Sequence, residues 1–538
     1  MPFRRATPIV RMAARFRRQG GRVLRGYSLL PAVLLLAGVS LVAGTAVAND
    51  AAEAARTYRE QHEAAILAEF RDFLSLPNVA TDTAAMDRNA AWLTRRLGEA
   101  GFDTEVWRGG GAPYVFAEKN FAAATKTVLI YAHFDGQPVD AANWASPPWQ
   151  PTLRTGAPDD GGEVVDWDNA TRFDPQWRVY ARSAGDDKAP VIALLAALAG
   201  LEAAGIAPSV NIKLILDGEE EIGSPTLAAV LAEHGSALET DLLLFCDGPM
   251  HQSRMRQLVF GVRGSMTVDL TTYGAIRPLH SGHYGNWSPN PTDALIHLLA
   301  AMKDDEGNIT VPGYMDEVRP ISSAELEAIA AMPRIDDVLR EDLALGRVEG
   351  GGKRIEELVL QPGIIVKGFQ AGGVGPQSRN VIQSSATASL NLRLVADQDP
   401  ATVRQVLEGF FRDQGFHVVL EDPEPEVLRS HERVLKADWR PGAYPAFRTR
   451  LDSPEAARVI AVLDSIDDQP TLLTPTMGGS LPIYLFEAAI DAPIILLPVA
   501  NHDNNQHGRD ENLRLQNLWD AIEVYAAVLA GYGRPDSP

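Results

Sequence analysis

Cysteine is almost missing from this sequence. Cys246 is alone among 538 residues, so no intramolecular disulfide can form, and a chain of this length has enough core to do without one. There is no internal repeat of fixed period and no low-complexity tract, so repeat architectures drop out. Positive charge is also short: 49 Lys and Arg stand against 70 Asp and Glu, a formal net charge of −21. The first 48 residues invert this balance, with eight arginines and no acidic residue. Without them, 49 − 8 leaves 41 basic residues against 70 acidic ones, or −29. That excess repels nucleic acid and anionic lipid and excludes both as partners.

The arginine-rich start leads into an apolar run over residues 29–47 that ends in Ala46-Val47-Ala48. Small residues at that spacing form a signal-peptidase site, which predicts a cleaved signal peptide over 1–48, a mature chain starting at Asn49, and a secreted or periplasmic location. An uncleaved anchor is the alternative, since the run is about long enough to span a bilayer. Glycines, Ser40 and Thr45 dilute it and favour cleavage. Arg17-Arg18 lies far from the apolar run and lacks the neighbours that would make it a twin-arginine export signal.

The remaining length suggests two domains. Residues 51–99 have helical periodicity, with Ile66, Leu67, Phe70, Phe73 and Leu74 on one face. Short apolar runs at 127–132, 212–216 and 242–246 then read as buried strands, and 190–203 as a helix between them. Strands alternating with helices predict an α/β fold, a sheet flanked by helices on both faces. The pattern changes near Phe260. Residues 265–273 and 386–395 alternate with period 2, as antiparallel strands exposed on one face do, and 293–302 is helical. Residues 261–469 are therefore expected to form an inserted α+β domain, flanked by a first domain made of 49–260 and 470–538.

The chemistry-bearing residues cluster after the strands, where open α/β sheets place their ligand sites. His133 and Asp135 are two apart in an extended segment and point the same way, so Asp135 is placed to accept the second ring N–H of a ligating His133. In Asp186-Asp187-Lys188, one carboxylate can bridge two cations about 3.5–4 Å apart, although an acidic helix cap fits the same string. Glu219-Glu220-Glu221 after the 212–216 strand is either a solvated acidic loop or a site whose repulsion is relieved by cations. Asp247 follows the 242–246 strand. His507 and His502 lie five residues apart, and spacing alone does not choose between them.

Taken in order, these strings resemble the co-catalytic metallopeptidase family of carnosinases, bacterial dipeptidases, glutamate carboxypeptidases, aminoacylases and succinyl-diaminopimelate desuccinylases. The family's G-H-x-D-x-Q-P is matched by 132–138, and its D-D-K-G by 186–189 with Ala189 in place of glycine. Its E-E-x-G-S corresponds to 220–224, its third-strand aspartate to Asp247, and its H-x-x-x-E to 507–511. The resemblance covers roughly 55–535 and implies a zinc-exopeptidase-like catalytic domain with an inserted lid and dimerisation domain. It also implies two divalent cations, usually zinc with manganese or cobalt as substitutes. One would be held by His133, Asp186 and Asp247, and the other by Asp186, Glu221 and His507, which selects His507 over His502.

By the same resemblance Glu220 is the general base, Asp135 the partner of His133, and His280 an oxyanion donor reaching the partner subunit's site in a homodimer. Arg393 would clamp a substrate carboxylate, with Gly479 and Ser480 at the substrate terminus and Asn380 near the oxyanion. The implied activity is hydrolysis of dipeptides or short peptides with a free carboxylate. The alternative is deacylation of N-acyl amino acids. Asp247, where carboxypeptidase-like and deacylase members more often carry glutamate, tilts the reading towards dipeptidase. Two departures bear on substrate choice: the 181–185 approach to Asp186 has few glycines, and the 151–177 segment is longer and richer in Asp and Gly than the family pattern.

Overall fold

The computed structural model describes residues 38–534, with side chains from Val47 onward. The signal-peptide region expected over 1–48 therefore lies mostly outside the described residues. Among the described residues, no helix is long and apolar enough to cross a membrane.

An eight-stranded mixed sheet organises the first domain. Its middle strands are Lys126–His133, Val210–Asp217 and Leu242–Phe245, the first lying parallel to the other two. They read as continuous apolar runs because both faces are covered. Val128, Ile130 and Ala132 enter one core, and Leu129 and Tyr131 enter another. The first core is closed by the helices Gly38–Leu74, Ala189–Ala204 and Leu515–Gly531. The second is closed by Leu227–His234 and Ile483–Ala489.

The 51–99 stretch is two helical segments, Gly38–Leu74, which is kinked at His62, and Thr83–Glu99. Pro77 accounts for the break, since a residue preceding proline is driven from helical backbone, and Asp82 restarts the helix by accepting the Ala85 N–H at 3.0 Å. The break has a use. Asn78 within it donates to the Phe134 carbonyl (2.8 Å), and its own carbonyl accepts the Gly136 N–H (2.8 Å), fixing the segment that carries His133 and Asp135.

The second sheet has five strands, including Gly363–Gln370, Ser385–Leu394, Gly264–Tyr273 and Val434–Trp439 in spatial order. Gly264–Tyr273 is antiparallel as expected, but it lies in the sheet's interior, between two partners. Met266, Val268 and Leu270 pack with residues of the helices Pro291–Ala300 and Pro400–Asp413, while Ser265, Thr267 and Asp269 look out from a half-open face. The helix Pro454–Asp464, although within the 261–469 stretch expected to be inserted, sends Val459, Val462 and Leu463 into the first domain's core. The chain has already returned at Phe447–Arg448, which pairs with Gly261–Val262 and packs Phe447 with Val262 into the first domain's second core. The inserted part is thus narrower than its composition suggests.

A half-buried acid on the Leu515–Gly531 helix of the first domain provides a stability test. Burial pushes the Asp520 carboxyl up to about 6, against a hydrogen bond from Gln516. A carboxyl whose folded value is raised holds its proton while the unfolded chain has released it, so stability falls as pH rises from about 4 to 6. Asp520→Asn should match the parent near pH 4 and be more stable by about 2 kcal/mol above pH 6, as read by urea unfolding across pH.

Candidate active site

Six carboxylates converge at the carboxyl ends of the central strands: Asp135, Asp186, Asp187, Glu220, Glu221 and Asp247. His133 Nε2 lies 2.7 Å from Asp186 Oδ1 and 4.0 Å from Asp247 Oδ2. The second oxygen of Asp186 lies 3.2 Å from His507 Nε2, which is also 3.1 Å from Glu221 Oε2. Asp186 therefore spans two imidazoles, one oxygen towards each. The peptide bond between Asp186 and Asp187 is cis.

The electrostatics of this cluster favour cations. Burial works against ionisation of Asp186, yet hydrogen bonds from His133 and His507 hold it below the ordinary carboxylate range. Burial with the charge of neighbouring acids pushes Asp247 up to about 7 and Glu220 well above its usual value. The hydrogen bond to Asp186, then that to Glu221, pushes His507 up to about 10. No lysine or arginine pairs with these acids among the described residues. Lys188, next in sequence, turns away and donates to the Phe73 and Leu76 carbonyls and to Asn89 Oδ1.

The donor set fits two borderline divalent cations: imidazoles and carboxylates without thiolate. Two groups have ligand atoms within 4.8 Å of one another, His133 with Asp187 and Asp247, and Asp186 with Glu221 and His507. Asp186 Oδ2 is buried and outside good hydrogen-bond geometry, with His507 Nε2 at 3.2 Å. Asp187 is a member of the cluster that sequence reasoning passed over; its Oδ2 also accepts the His133 backbone N–H at 3.3 Å.

Further residues hold the ligands in place. Asp135 lies 3.3 Å from His133 Nδ1, and its two oxygens accept the backbone N–H groups of Glu220 and Glu221, both at 3.0 Å. It thus ties His133 to the loop of Glu220 and Glu221. Gln137 donates to Glu221 Oε2 at 2.8 Å. The acidic run divides by direction. Glu219 turns inward and accepts from Tyr114 (2.7 Å), the Ala112 N–H (3.1 Å) and the Thr226 N–H (2.7 Å), leaving Glu220 and Glu221 to the site.

Glu511 Oε1 accepts the N–H groups of Gly185 (3.1 Å) and Asp186 (3.0 Å). Its other oxygen receives Arg182 Nη1 at 2.7 Å, and Arg182 Nη2 donates to the Gly508 carbonyl at 3.3 Å. The loops of Asp186 and His507 are joined by this buried pair. The H-x-x-x-E string contained Glu511, but nothing local in sequence pointed to Arg182 as its partner. The long 151–177 segment braces the same loop from outside through Asp159 and Arg509, 2.7 Å apart.

His502 faces Asp503, Arg514, Arg254 and Arg178 instead. Arg393 Nη1 donates to Ser480 Oγ at 3.1 Å, uniting two of the expected substrate contacts, and Gly479 accepts the Arg263 N–H at 3.0 Å. His280 is exposed and has no contact with the metal-site residues of its own chain among the described residues. It sits on the two-residue strand Leu279–His280, paired to Val381–Ile382, and the Ser281 N–H donates to the Asn380 carbonyl at 2.9 Å. Two candidate oxyanion residues are therefore neighbours, on a ribbon apart from the acids.

The sequence and structure have known relatives. The model of peptidase family M20/M25/M40 matches residues 129–531. The Beta-Ala-His dipeptidase of Homo sapiens is 24% identical over 77% of this chain and 76% of its own length. The Cysteinylglycine-S-conjugate dipeptidase of Corynebacterium striatum is 24% identical over 83% of this chain and 90% of its own. Among solved structures, the M20 family metallo-carboxypeptidase Sso-CP2 from Sulfolobus solfataricus superposes with a TM-score of 0.68 at 26% identity, covering 87% of this chain and 99% of that one. The chain is a metallopeptidase and belongs to peptidase family M20/M25/M40.

Proposed function

We propose that this protein is an exported dipeptidase that cleaves dipeptides or short peptides bearing a free carboxylate. The observation that carries this reading is the Asp186 carboxylate set between the imidazoles of His133 and His507, with the half-buried Glu220 near enough for their charges to act on one another. The relatives named as dipeptidases support the substrate class. His133, Asp186 and Asp247 would hold one cation, and Asp186, Glu221 and His507 the other, with zinc the expected metal and manganese or cobalt its substitutes. Bound there, two such cations lower the pKa of a water to about 7 and polarise the scissile carbonyl.

The protein's own residues do the rest. Glu220 accepts the proton of the attacking water and returns it to the leaving amine nitrogen. Arg393 and Ser480 hold the substrate carboxylate, with the guanidinium supplying the paired donors that a carboxylate accepts, and Gly479 shapes the turn beside them. His280, with Asn380 near it, donates to the developing oxyanion in the partner subunit's site. A homodimer is supported by the exposure of His280 and by the edge strand Gly363–Gln370, which leaves Ile365, Val366 and Phe369 uncovered and offers unpaired backbone to a second copy. The acid-free leader ending at Ala48 supports export, with Asn49 as the mature first residue.

Parallel assays on dipeptides and N-acyl amino acids, with metal content by elemental analysis, test this reading. Cleavage of dipeptides at about two metal equivalents per chain is expected. Turnover of N-acyl amino acids alone would move the chain to the deacylases, and full activity with fewer than two equivalents would overturn the bridged pair.

A further inference from the structure

Arg263 and Arg393 stand side by side on the half-open face of the five-stranded sheet. Ser265 and Gly363 are the register partners of Arg393 on its two sides, and Arg263, two residues before Ser265, projects to the same face. A Cβ on Gly363 would lie 3.3 Å from Arg263 Nη2 and 3.7 Å from Arg393 Cβ, so glycine there leaves room for both side chains. Both arginines are tied to the loop expected to hold the substrate terminus, Arg263 through its N–H to Gly479 and Arg393 through Ser480.

This chain has 70 acidic residues against 49 basic, and its buried arginines are generally matched to acids. Arg182 meets Glu511 at 2.7 Å and Arg514 meets Asp503 at 3.0 Å. Arg263 and Arg393 are different: neither has a carboxylate within ion-pair distance among the described residues. The Arg263 guanidinium donates to the Gln361 carbonyl at 2.7 Å, while its buried Nε has no partner. Burial, then the charge of Arg393, lowers its pKa to about 10. The buried Tyr314 hydroxyl, near enough to act on Arg263, also lacks a partner. Two uncompensated like charges with unfilled donors call for anionic oxygens, and one carboxylate occupies only one of them.

We propose that Arg263 is a specificity-determining residue that receives the side-chain carboxylate of an acidic C-terminal residue, making dipeptides that end in Asp or Glu the preferred substrates. The inference rests on the reading that Arg393 and Ser480 hold the terminal carboxylate. Arg263 lines a cavity of about 460 Å³ with Lys303, Glu349, Lys353, Gln361 and Gly363, and Gly363 is also the register partner of Arg393, so open space adjoins both arginines. Lys303 is balanced by Glu349 at 3.2 Å, while Arg263 has no acid partner and is tied by its N–H to Gly479 of the Gly479–Ser480 loop.

The test compares kcat/KM for Ala-Glu with that for Ala-Gln, which has nearly the same shape and no charge, in the parent protein, Arg263→Gln and Arg263→Lys. Calorimetric binding of free glutamate and glutamine to the same proteins supplies a readout independent of turnover. The parent is expected to favour Ala-Glu about 10- to 100-fold. Arg263→Gln should reduce that ratio to near one, chiefly through KM, and Arg263→Lys should keep part of it. A parent ratio near one, or a ratio unchanged in Arg263→Gln, overturns the proposal while dipeptide cleavage itself stands. If no dipeptide is cleaved, the dipeptidase reading fails. Binding then decides: tighter binding of glutamate than of glutamine, lost in Arg263→Gln, upholds this site, and equal binding overturns it.

Discussion

Replacing Glu220 with glutamine is expected to lower kcat about 10³- to 10⁴-fold while KM stays within about threefold, because the amide keeps the shape and loses only the proton transfer. Glu220 is suited to this role by what surrounds it. No hydrogen bond engages its side-chain oxygens among the described residues, and its backbone N–H is held by Asp135 at 3.0 Å. Burial raises its pKa first, and the charges of Asp247, Asp186 and Asp135 raise it further, against the lowering effect of His133. Compensation of that negative charge favours the ionised form that a base needs. Glu220 is not among the proposed ligands, and elemental analysis of the variant should still find two equivalents. A variant that loses metal together with activity would make Glu220 a ligand and move the base elsewhere. The same variant tests the proposal that His280 serves the partner subunit's site. Mixed with His280→Ala under conditions of subunit exchange, Glu220→Gln should regain activity, since one site of the hybrid then has an intact glutamate and the other chain's intact histidine. No recovery in a verified hybrid would confine His280 to its own chain.

The strands that carry the ligands were legible because burial on both faces writes an uninterrupted apolar run, and the acids after those runs stood out against it. The order of the candidate ligands was likewise legible, since the strings that carry them are local. Three things were not. Pro77 signalled a break in the first helical stretch, but the role of Asn78 in holding the His133 segment depends on a contact 56 residues away. The three consecutive glutamates looked alike in sequence; only Tyr114 and Thr226, brought together by the fold, draw Glu219 inward. The return of the chain to the first domain came earlier than composition indicated, because the amphipathic Pro454–Asp464 helix reads the same whichever core it covers. In each case the missing information was a partner distant in sequence.

Exchanging Arg182 for methionine is expected to cost about 3–5 kcal/mol of stability near pH 8, the usual loss when one member of a buried ion pair is removed. Arg182 and Glu511 side chains are 2% and 1% exposed, so water cannot replace the lost partner. Burial already pushes Glu511 up to about 7 even with Arg182 opposing it, and without the guanidinium it rises further. The sign follows. Glu511 in the folded variant keeps its proton through a pH range where the unfolded chain has lost it, so the variant loses stability as pH rises from about 5 to 8. The deficit should therefore shrink in acid, and Glu511→Gln in the same chain should recover part of it by removing the orphaned charge. The functional consequence is separate from the stability one. Glu511 fixes the Asp186 N–H, and Arg182 fixes the Gly508 carbonyl beside His507, so the pair sets the separation of two ligands that lie on different loops. Loss of residues that orient ligands typically weakens metal binding about 10- to 100-fold, and chelator competition at a temperature well below unfolding measures that term alone. A variant destabilised as described but with metal affinity unchanged would limit the pair to a structural brace. Weakened affinity that the added Glu511→Gln does not restore would show that the geometry of both loops depends on the charged pair itself.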